Sequence, residues 1–223
     1  MSKQRKLSYL FSILWVAILF AAIMGAVATG VINSYYSGIL VLIGINIILA
    51  VSLNLVTGFL GQLVLGHAGF MSVGAYSAAL FTMHAGLPIS VAFPLGLIFG
   101  GLVAAIFGVI IGVPALRLRG DYLAIVTLGF GEIVRLGLQN WTSLTGGPRG
   151  ISEIPRPGFF GMEMDINTST TYVYYLVLAA VVITIIVISR LKNSRVGLAL
   201  QALREDEIAG EAMGIDITRV KLS

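Results

Sequence analysis

The residues best placed to do chemistry in this sequence are Glu132 and Arg135, the only charged side chains of the predominantly apolar segment 122–139. Their spacing of three residues places them on one face of a helix. An ionisable pair deep in an apolar span is costly unless it faces protein or water. Two interpretations stay open: a structural ion pair between helices, or a pair that belongs to a substrate pathway or gate.

A second group of polar positions surrounds the glycine-rich passage GFLGQLVLGHAGF, residues 58–70. Glycines at this density can break a helix, and a broken helix at membrane depth exposes backbone groups to which a polar substrate can bind. Asn54, Gly66 and His67 are therefore candidate residues of a substrate pathway. The alternative is an ordinary tight turn, with Asn54 linking helices and His67 as a packed polar residue.

Other chemistry finds no support in the sequence. The chain has no cysteine, and its two histidines are not spaced as metal ligands. No P-loop occurs, and Val134 replaces the third glycine of the G-x-G that begins at Gly129. No nucleophilic G-x-S-x-G motif is present either. We therefore expect a protein that is not an enzyme and that uses no metal and no cofactor.

The elements that position these residues follow from the distribution of charge. Of 223 residues, 57% are hydrophobic and 11% are charged, against roughly 25% charged in soluble domains. Residues 7–116 form a stretch of 110 without Asp, Glu, Lys or Arg, and a spanning helix needs about 20 apolar residues. The sequence predicts an all-α, polytopic transmembrane helical bundle of about six spans, over residues 7–30, 37–56, 67–83, 89–113, 122–140 and 171–189.

Basic residues predict the direction of these spans, because Lys and Arg concentrate in cytoplasmic loops. With the N-terminus inside, six spans also place Arg117 and the basic residues of 190–195 inside. The loop 141–170 lies outside, where Arg149 and Arg156 stand beside acidic residues. We expect both termini in the cytoplasm, a membrane region over 1–189 and a cytoplasmic segment over 190–223. Since the basic residues lie at span ends, the net charge of +4 does not indicate a nucleic-acid partner.

Small residues recur every four positions along the fourth predicted span. Such a pattern lets helix backbones approach closely, and so it predicts helix packing. The neighbour is either another helix of this chain, with the third span as the first choice, or a second subunit. The residues concerned are Gly96, Gly100, Ala104, Gly108 and Gly112.

The charged tail SRVGLALQALREDEIAGEAMGIDITRV begins at Ser194 and interleaves apolar with charged residues. It is too polar to cross a membrane, and its pattern is typical of an amphipathic helix. A cytoplasmic amphipathic helix favours docking into a groove of a partner protein. A solvated chain end is the alternative.

Three segments carry a resemblance to a known family: LNLVTGFLGQLVLGHAGFMSVGAY, the stretch from LRLRGDYLAIVTLGFGEIVRLGLQNW to SLTGGPRGI, and SRVGLALQALREDEIAGEAMGI. They resemble the permease subunits of branched-chain amino-acid ABC transporters, closest to the longer of the two permeases in such systems. The resemblance implies half of the pore of an ATP-driven importer for Leu, Ile or Val, in the plasma (cell inner) membrane of a bacterium or archaeon. A urea or short-amide permease of the same superfamily is the alternative.

The resemblance also implies partners: a sister permease, ATP-binding cassette ATPase subunits and an extracytoplasmic amino-acid-binding protein. Arg204 to Gly214 would form one coupling helix, with Ala212 and Ile215 among its anchors and Gly214 at its end. Family members continue beyond this segment with further spans, so a chain that ends at Ser223 is expected to be a truncated product or an inactive fragment. The expected ATPase contacts are Arg204, Glu205, Asp206, Glu207, Glu211, Ala212 and Gly214.

Overall fold

The computed structural model describes residues 25, 33–115, 118, 120–152, 154–155 and 166–214. Within these residues the secondary structure is helical and contains no strand, which confirms the predicted all-α class. The first predicted span, 7–30, falls outside the described residues apart from Gly25. The helices are α1 (Ser34–Asn54), continued by a π turn (Leu55–Phe59), α2 (His67–His84), α3 (Ile89–Ala115), α4 (Asp121–Asn140), α5 (Thr142–Thr145), α6 (Ile166–Lys192), α7 (Arg195–Glu205) and α8 (Glu207–Ala212).

Four described helical stretches are long and apolar enough to cross a membrane: Tyr35–Phe59, Ile89–Ala115, Tyr122–Asn140 and Thr170–Lys192. They coincide with the second, fourth, fifth and sixth predicted spans. The third predicted span coincides with α2, an 18-residue helix that begins and ends with histidine and is not among the four. Whether α2 crosses the membrane, and where each span begins and ends, stay predictions.

Helices α1 and α6 pack side by side and run in the same direction. In their middle Gly44 faces α6, where a Cβ would lie 3.8 Å from Cγ2 of Val181. At their ends, Nζ of Lys192 lies 5.1 Å from the ring centroid of Phe59. The two contacts follow each other in the same order along both helices, so the helices are parallel.

Helix α2 packs against α3 through small residues. A Cβ on Gly74 would lie 3.4 Å from the carbonyl oxygen of Gly100 and 3.5 Å from Cβ of Ala104. Farther along α2, the carbonyl oxygen of Ala78 would lie 3.1 Å from a Cβ on Gly96. The order of the contacts makes these helices antiparallel, and the small residues between them let the backbones approach closely.

On its other side α2 runs parallel to α4. A Cβ on Gly69 would lie 3.0 Å from Cα of Gly131, and a Cβ on Gly150, beyond the end of α4, would lie 3.8 Å from the hydroxyl oxygen of Tyr76. The helix directions are therefore those that alternating spans require: second parallel to sixth, third parallel to fifth, and fourth opposed to third. The side of the membrane that each loop occupies stays a prediction.

Replacing Gly100 by alanine is expected to destabilise the protein, whereas the same change at Gly101 is not. The new Cβ at Gly100 would collide with the carbonyl oxygen of Gly74 and lie 2.9 Å from Cβ of Ala78, while nothing lies within 4 Å of the position at Gly101. Overpacking of this kind costs about 1–3 kcal/mol. Thermal unfolding in detergent checks it, and equal melting temperatures for the two variants would show that this backbone contact does not form.

Candidate functional site

The glycine-rich passage lies where one helix ends and the next begins, which fits both the broken helix and the tight turn. Helix α1 widens into the π turn, residues 60–66 are not helical, and α2 begins at His67. Gly61 has a φ of +73°, a left-handed conformation that is available to glycine without steric cost. The backbone groups of this interrupted segment (residues 60–66) lack the partners of a regular helix and must find others.

Thr127 of α4 holds the far end of the interrupted segment. The backbone N–H of Leu65 donates to Oγ1 of Thr127 at 3.1 Å, and this hydroxyl donates to backbone carbonyls one turn earlier on α4. Gly66 lies directly on the Thr127 backbone, where a Cβ would collide with the carbonyl oxygen. Thr127 is 5% exposed. Our sequence analysis missed this residue, for which the available signal was a hydroxyl within an apolar helix.

His67 and Asn54 lie at opposite ends of the interruption. His67 is the first residue of α2, and its Nε2 is buried without a hydrogen-bond partner in the described part of the chain. A buried nitrogen without a partner is destabilising, and a ligand or a water molecule can satisfy it. Asn54 is exposed, and its amide oxygen occupies the space that a Cβ on Gly58 would need. No hydrogen bond joins Asn54 to His67 among the described residues.

Glu132 and Arg135 form an ion pair within α4. Nε of Arg135 donates to Oε2 of Glu132 at 2.8 Å, Nη2 donates to Oε1, and Nη1 donates to Oε1 of Gln139 at 3.1 Å. The interpretation as an ion pair between helices is therefore wrong, because the i, i+3 spacing lets the side chains meet on one helix. Gln139 is a third member that sequence analysis missed. Glu132 lies about 15 Å along the helix from Tyr122, near the middle of the span.

The ion pair and Thr127 occupy different faces of α4. Thr127 and Gly131 face α2, whereas the side chains of Glu132 and Arg135 are about half exposed, at 52% and 53%. The structure thus does not bring all five predicted pathway residues together. Within the described residues no group of three His, Asp or Glu side chains could hold a metal ion.

Helix α7 is seated on the π turn at the end of α1. Ser194 caps its first turn, accepting a hydrogen bond from the N–H of Gly197 at 3.2 Å. Nη1 of Arg204 donates to the carbonyl oxygen of Gly58 at 2.8 Å. A buried apolar cluster of Leu60, Leu200 and Leu203, flanked by Val56 and Val196, lies beside this hydrogen bond.

The prediction of one helix from Arg204 to Gly214 is wrong. Helix α7 ends at Glu205, Asp206 is extended (φ −156°, ψ 112°), and α8 runs from Glu207 to Ala212. The cause is local, since the Asp206 carboxylate accepts a hydrogen bond from the N–H of Ala209 at 3.1 Å and so begins a new helix.

The other predicted coupling residues lie on both sides of this break. Glu205, Asp206 and Ala212 are exposed, and Gly214 has a φ of +83°, in agreement with a glycine just past a helix end. Ile215 lies outside the described residues, and for Glu207 and Glu211 only the backbone is described. Both α7 and α8 therefore present exposed side chains.

The small residues of α3 divide into two groups, those that contact α2 and those for which no such contact is seen among the described residues. Gly96 and Gly100 are buried against α2, and Ala104 lies beside Gly74. Gly108 has no atom within 4 Å of its Cβ position, and Gly112 is partly buried. Contact with α2 thus accounts for the first three members, and a role for the last two in subunit contact stays a prediction.

The helical membrane architecture and the polar interruption agree with a family of transport proteins. A family model described as "Branched-chain amino acid transport system / permease component" matches residues 35–223. The chain belongs to this family of membrane permease components, which are not enzymes. The apolar helices and the family together identify an integral membrane protein.

Two relatives carry the name high-affinity branched-chain amino acid transport system permease protein LivM. The protein from Salmonella typhimurium is 45% identical and the one from Escherichia coli is 44% identical, each over 199 residues that cover 80% of this chain. The chain spans about half the length of these relatives, since the alignments cover 46% of each. No solved structure matches the chain significantly.

Proposed function

We propose that the protein is the transmembrane permease subunit of an ATP-driven importer for the branched-chain amino acids Leu, Ile and Val. It forms half of a translocation pore in the plasma (cell inner) membrane of a bacterium or archaeon. The observation that carries this proposal is the similarity to two permease proteins named for high-affinity branched-chain amino acid transport. Identity of 45% and 44% over 199 residues supports a shared architecture and a shared class of cargo.

Three kinds of partner complete the proposed transporter. The chain contains no P-loop, so ATP hydrolysis belongs to separate ATP-binding cassette subunits. A sister permease supplies the other half of the pore, and an extracytoplasmic binding protein delivers the amino acid. The ATPase contacts residues of the cytoplasmic segment 190–223, chiefly on α8 and the residues flanking it: Glu205, Asp206, Glu207, Glu211, Ala212 and Gly214.

The proposed pathway has two polar regions. The first comprises Asn54, Gly66 and His67 at the interruption, and the unpaired Nε2 of His67 supports it. The second comprises Glu132 and Arg135, whose half-exposed ion pair midway along a candidate span needs protein or water around it. An amino acid carries an ammonium group and a carboxylate group. The polar side chains of either region can form hydrogen bonds with these two groups.

Deleting the gene for this chain is the direct test of the proposal. Cells without it are expected to lose high-affinity uptake of labelled leucine and to regain it when the gene is returned. Unlabelled isoleucine and valine should compete with leucine, whereas urea and acetamide should not. Loss of urea uptake with intact leucine uptake would instead identify the urea or amide permease.

The proposed topology predicts opposite labelling of two engineered cysteines. Arg149→Cys is expected to react with a membrane-impermeant maleimide added to intact cells, and Met213→Cys only after the cells are opened. Both side chains are exposed, and the natural chain has no cysteine, so reactivity reports the side of the membrane. Labelling of Arg149→Cys from the cytoplasm alone would rule out an external loop over residues 141–170.

A further inference from the structure

The last carbonyl groups of α1 and its π turn accept hydrogen bonds from two kinds of donor, backbone N–H groups nearby in the chain and a distant side chain. A helix end leaves its final carbonyl groups without intrahelical partners. Two of them accept nearby N–H groups, since Leu60 donates to Leu55 at 3.3 Å and Gln62 donates to Val56 at 3.2 Å. The carbonyl of Gly58 instead accepts from a guanidinium 146 positions later in the chain. A side chain that is distant in the sequence therefore supplies a hydrogen bond at the end of a membrane helix.

The side chain of Arg204 is exposed but contacts Gly61 as well as Gly58. A Cβ on Gly61 would lie 2.9 Å from Cγ of Arg204, so the aliphatic part of the arginine lies against this glycine. Leu203, at 2% exposed, packs with Leu60 beside it. Lys192 places a second cation over Phe59 at the same helix end, where positive charge is favoured. Helix α7 and the π turn thus share one packed joint.

The interrupted segment is anchored at both ends. At its start, Leu60 and Gly61 contact α7. At its end, Leu65 and Gly66 contact Thr127 in the second turn of α4. Only seven residues of non-helical backbone, 60–66, separate α1 and its π turn from α2. A short segment fixed at both ends provides a direct route by which displacement of one end reaches the other.

We propose that Arg204 is a positioning residue that joins the cytoplasmic helix α7 to the interrupted segment, so that movement of α7 is transmitted through residues 58–66 to Thr127 and α4. This inference rests on the proposed function, because it needs an ATPase that moves α7. It assigns Arg204 to a contact within the chain rather than to the ATPase surface. ATP hydrolysis then changes the position of α4 through a connection made by one guanidinium and a small apolar cluster.

The first test uses the assembled transporter in proteoliposomes and measures leucine uptake and ATP hydrolysis together. Arg204→Leu should lower uptake per ATP hydrolysed about tenfold, the factor that corresponds to loss of one hydrogen bond to a charged group, while the ATPase stays bound. Arg204→Lys, which keeps a cationic donor, should restore most of the ratio. Arg195→Leu, at the exposed first position of the same helix, is the matched control and should leave the ratio unchanged.

The outcomes separate the inference from other roles. Release of the ATPase, or a parallel fall of hydrolysis and uptake, would show that Arg204 is a docking or folding residue and would overturn the proposal. A wild-type ratio in Arg204→Leu would overturn it as well. Wild-type vesicles that take up no leucine would refute the proposed cargo, and the same ratio measured with the cargo that is transported would still test the joint.

A crosslink provides an independent test that does not depend on losing a side chain. The chain has no cysteine, so Leu60→Cys with Leu203→Cys can be joined by a short bifunctional thiol reagent. If α7 and the interrupted segment move as one unit, the crosslinked transporter keeps its uptake per ATP hydrolysed. The single-cysteine variants treated with the same reagent are the controls. Loss of uptake in the crosslinked protein alone would show that the two must separate, and would overturn the proposal.

Discussion

Replacing Glu132 or Arg135 singly by glutamine is expected to lower uptake strongly and to lower the amount of folded protein in the membrane, while the double replacement is milder than either. The two side chains satisfy each other through two hydrogen bonds. A single change leaves one charge midway along a span without its partner, which is far more unfavourable than removing both. The single variants should therefore lose about tenfold or more of the wild-type uptake.

The measurement is the amount of monodisperse protein extracted from membranes, followed by labelled leucine uptake normalised to it. Gln139→Leu is the control, because it keeps the ion pair and removes only the third polar group of this face. Additive losses in the double variant would contradict a coupled pair. A double variant that is abundant but inactive would assign the pair to the pathway, whereas an active one would assign it to structure alone.

Ala212→Glu is expected to release the ATPase from the complex while the permease stays in the membrane. Ala212 is the last residue of α8 and is exposed in the isolated chain, as a docking residue must be. A charge buried in the core of an interface without a partner should weaken binding by about 2 kcal/mol or more, as does loss of an interface hot spot. Co-purification of the ATPase with the tagged permease measures this loss.

Ala202→Glu is the matched control for that experiment. Ala202 is also exposed, but it lies on α7, whereas the proposed ATPase contacts lie chiefly on α8. It should retain the ATPase. If Ala212→Glu also retains the ATPase and supports uptake, α8 is not the docking helix, and the cytoplasmic surface must be sought on other residues of the segment 190–223.

These experiments separate two roles within the segment 190–223. The side chain of Arg204 turns back onto the Gly58 carbonyl, and Leu203 is buried under the same joint. Arg204 and Ala212 are both exposed, but Arg204 is hydrogen-bonded to the end of α1, whereas Ala212 is the last residue of α8. We therefore expect substitutions on α8 to change ATPase retention and the loss of Arg204 to change the efficiency of transport. On a single amphipathic helix, one substitution would be expected to change both ATPase retention and transport efficiency. The break at Asp206 places the residues for these two roles on separate helices.

Some local features could be predicted because they depend on neighbouring residues alone. The glycine density of residues 58–70 predicted the interruption, and Gly214 lies where a helix end was expected. The same kind of reasoning failed at Asp206. The periodic spacing of apolar residues continues across this position and indicated one long helix, whereas the preference of aspartate for the first position of a helix indicated a new one, as the structure shows. It also misjudged Glu132 and Arg135, whose spacing already allowed a pair within one helix.

By itself, the sequence determined four long apolar helices, those of the second, fourth, fifth and sixth predicted spans. The reason is that the length of an apolar run and the positions of Lys and Arg are properties of the chain read in order. Only the tertiary structure decided that Thr127 holds Leu65, 62 positions away, and that Arg204 holds Gly58, 146 positions away. Such contacts depend on which helices pack together and which face of each helix is buried. The spacing of glycines along one helix does not determine either of these.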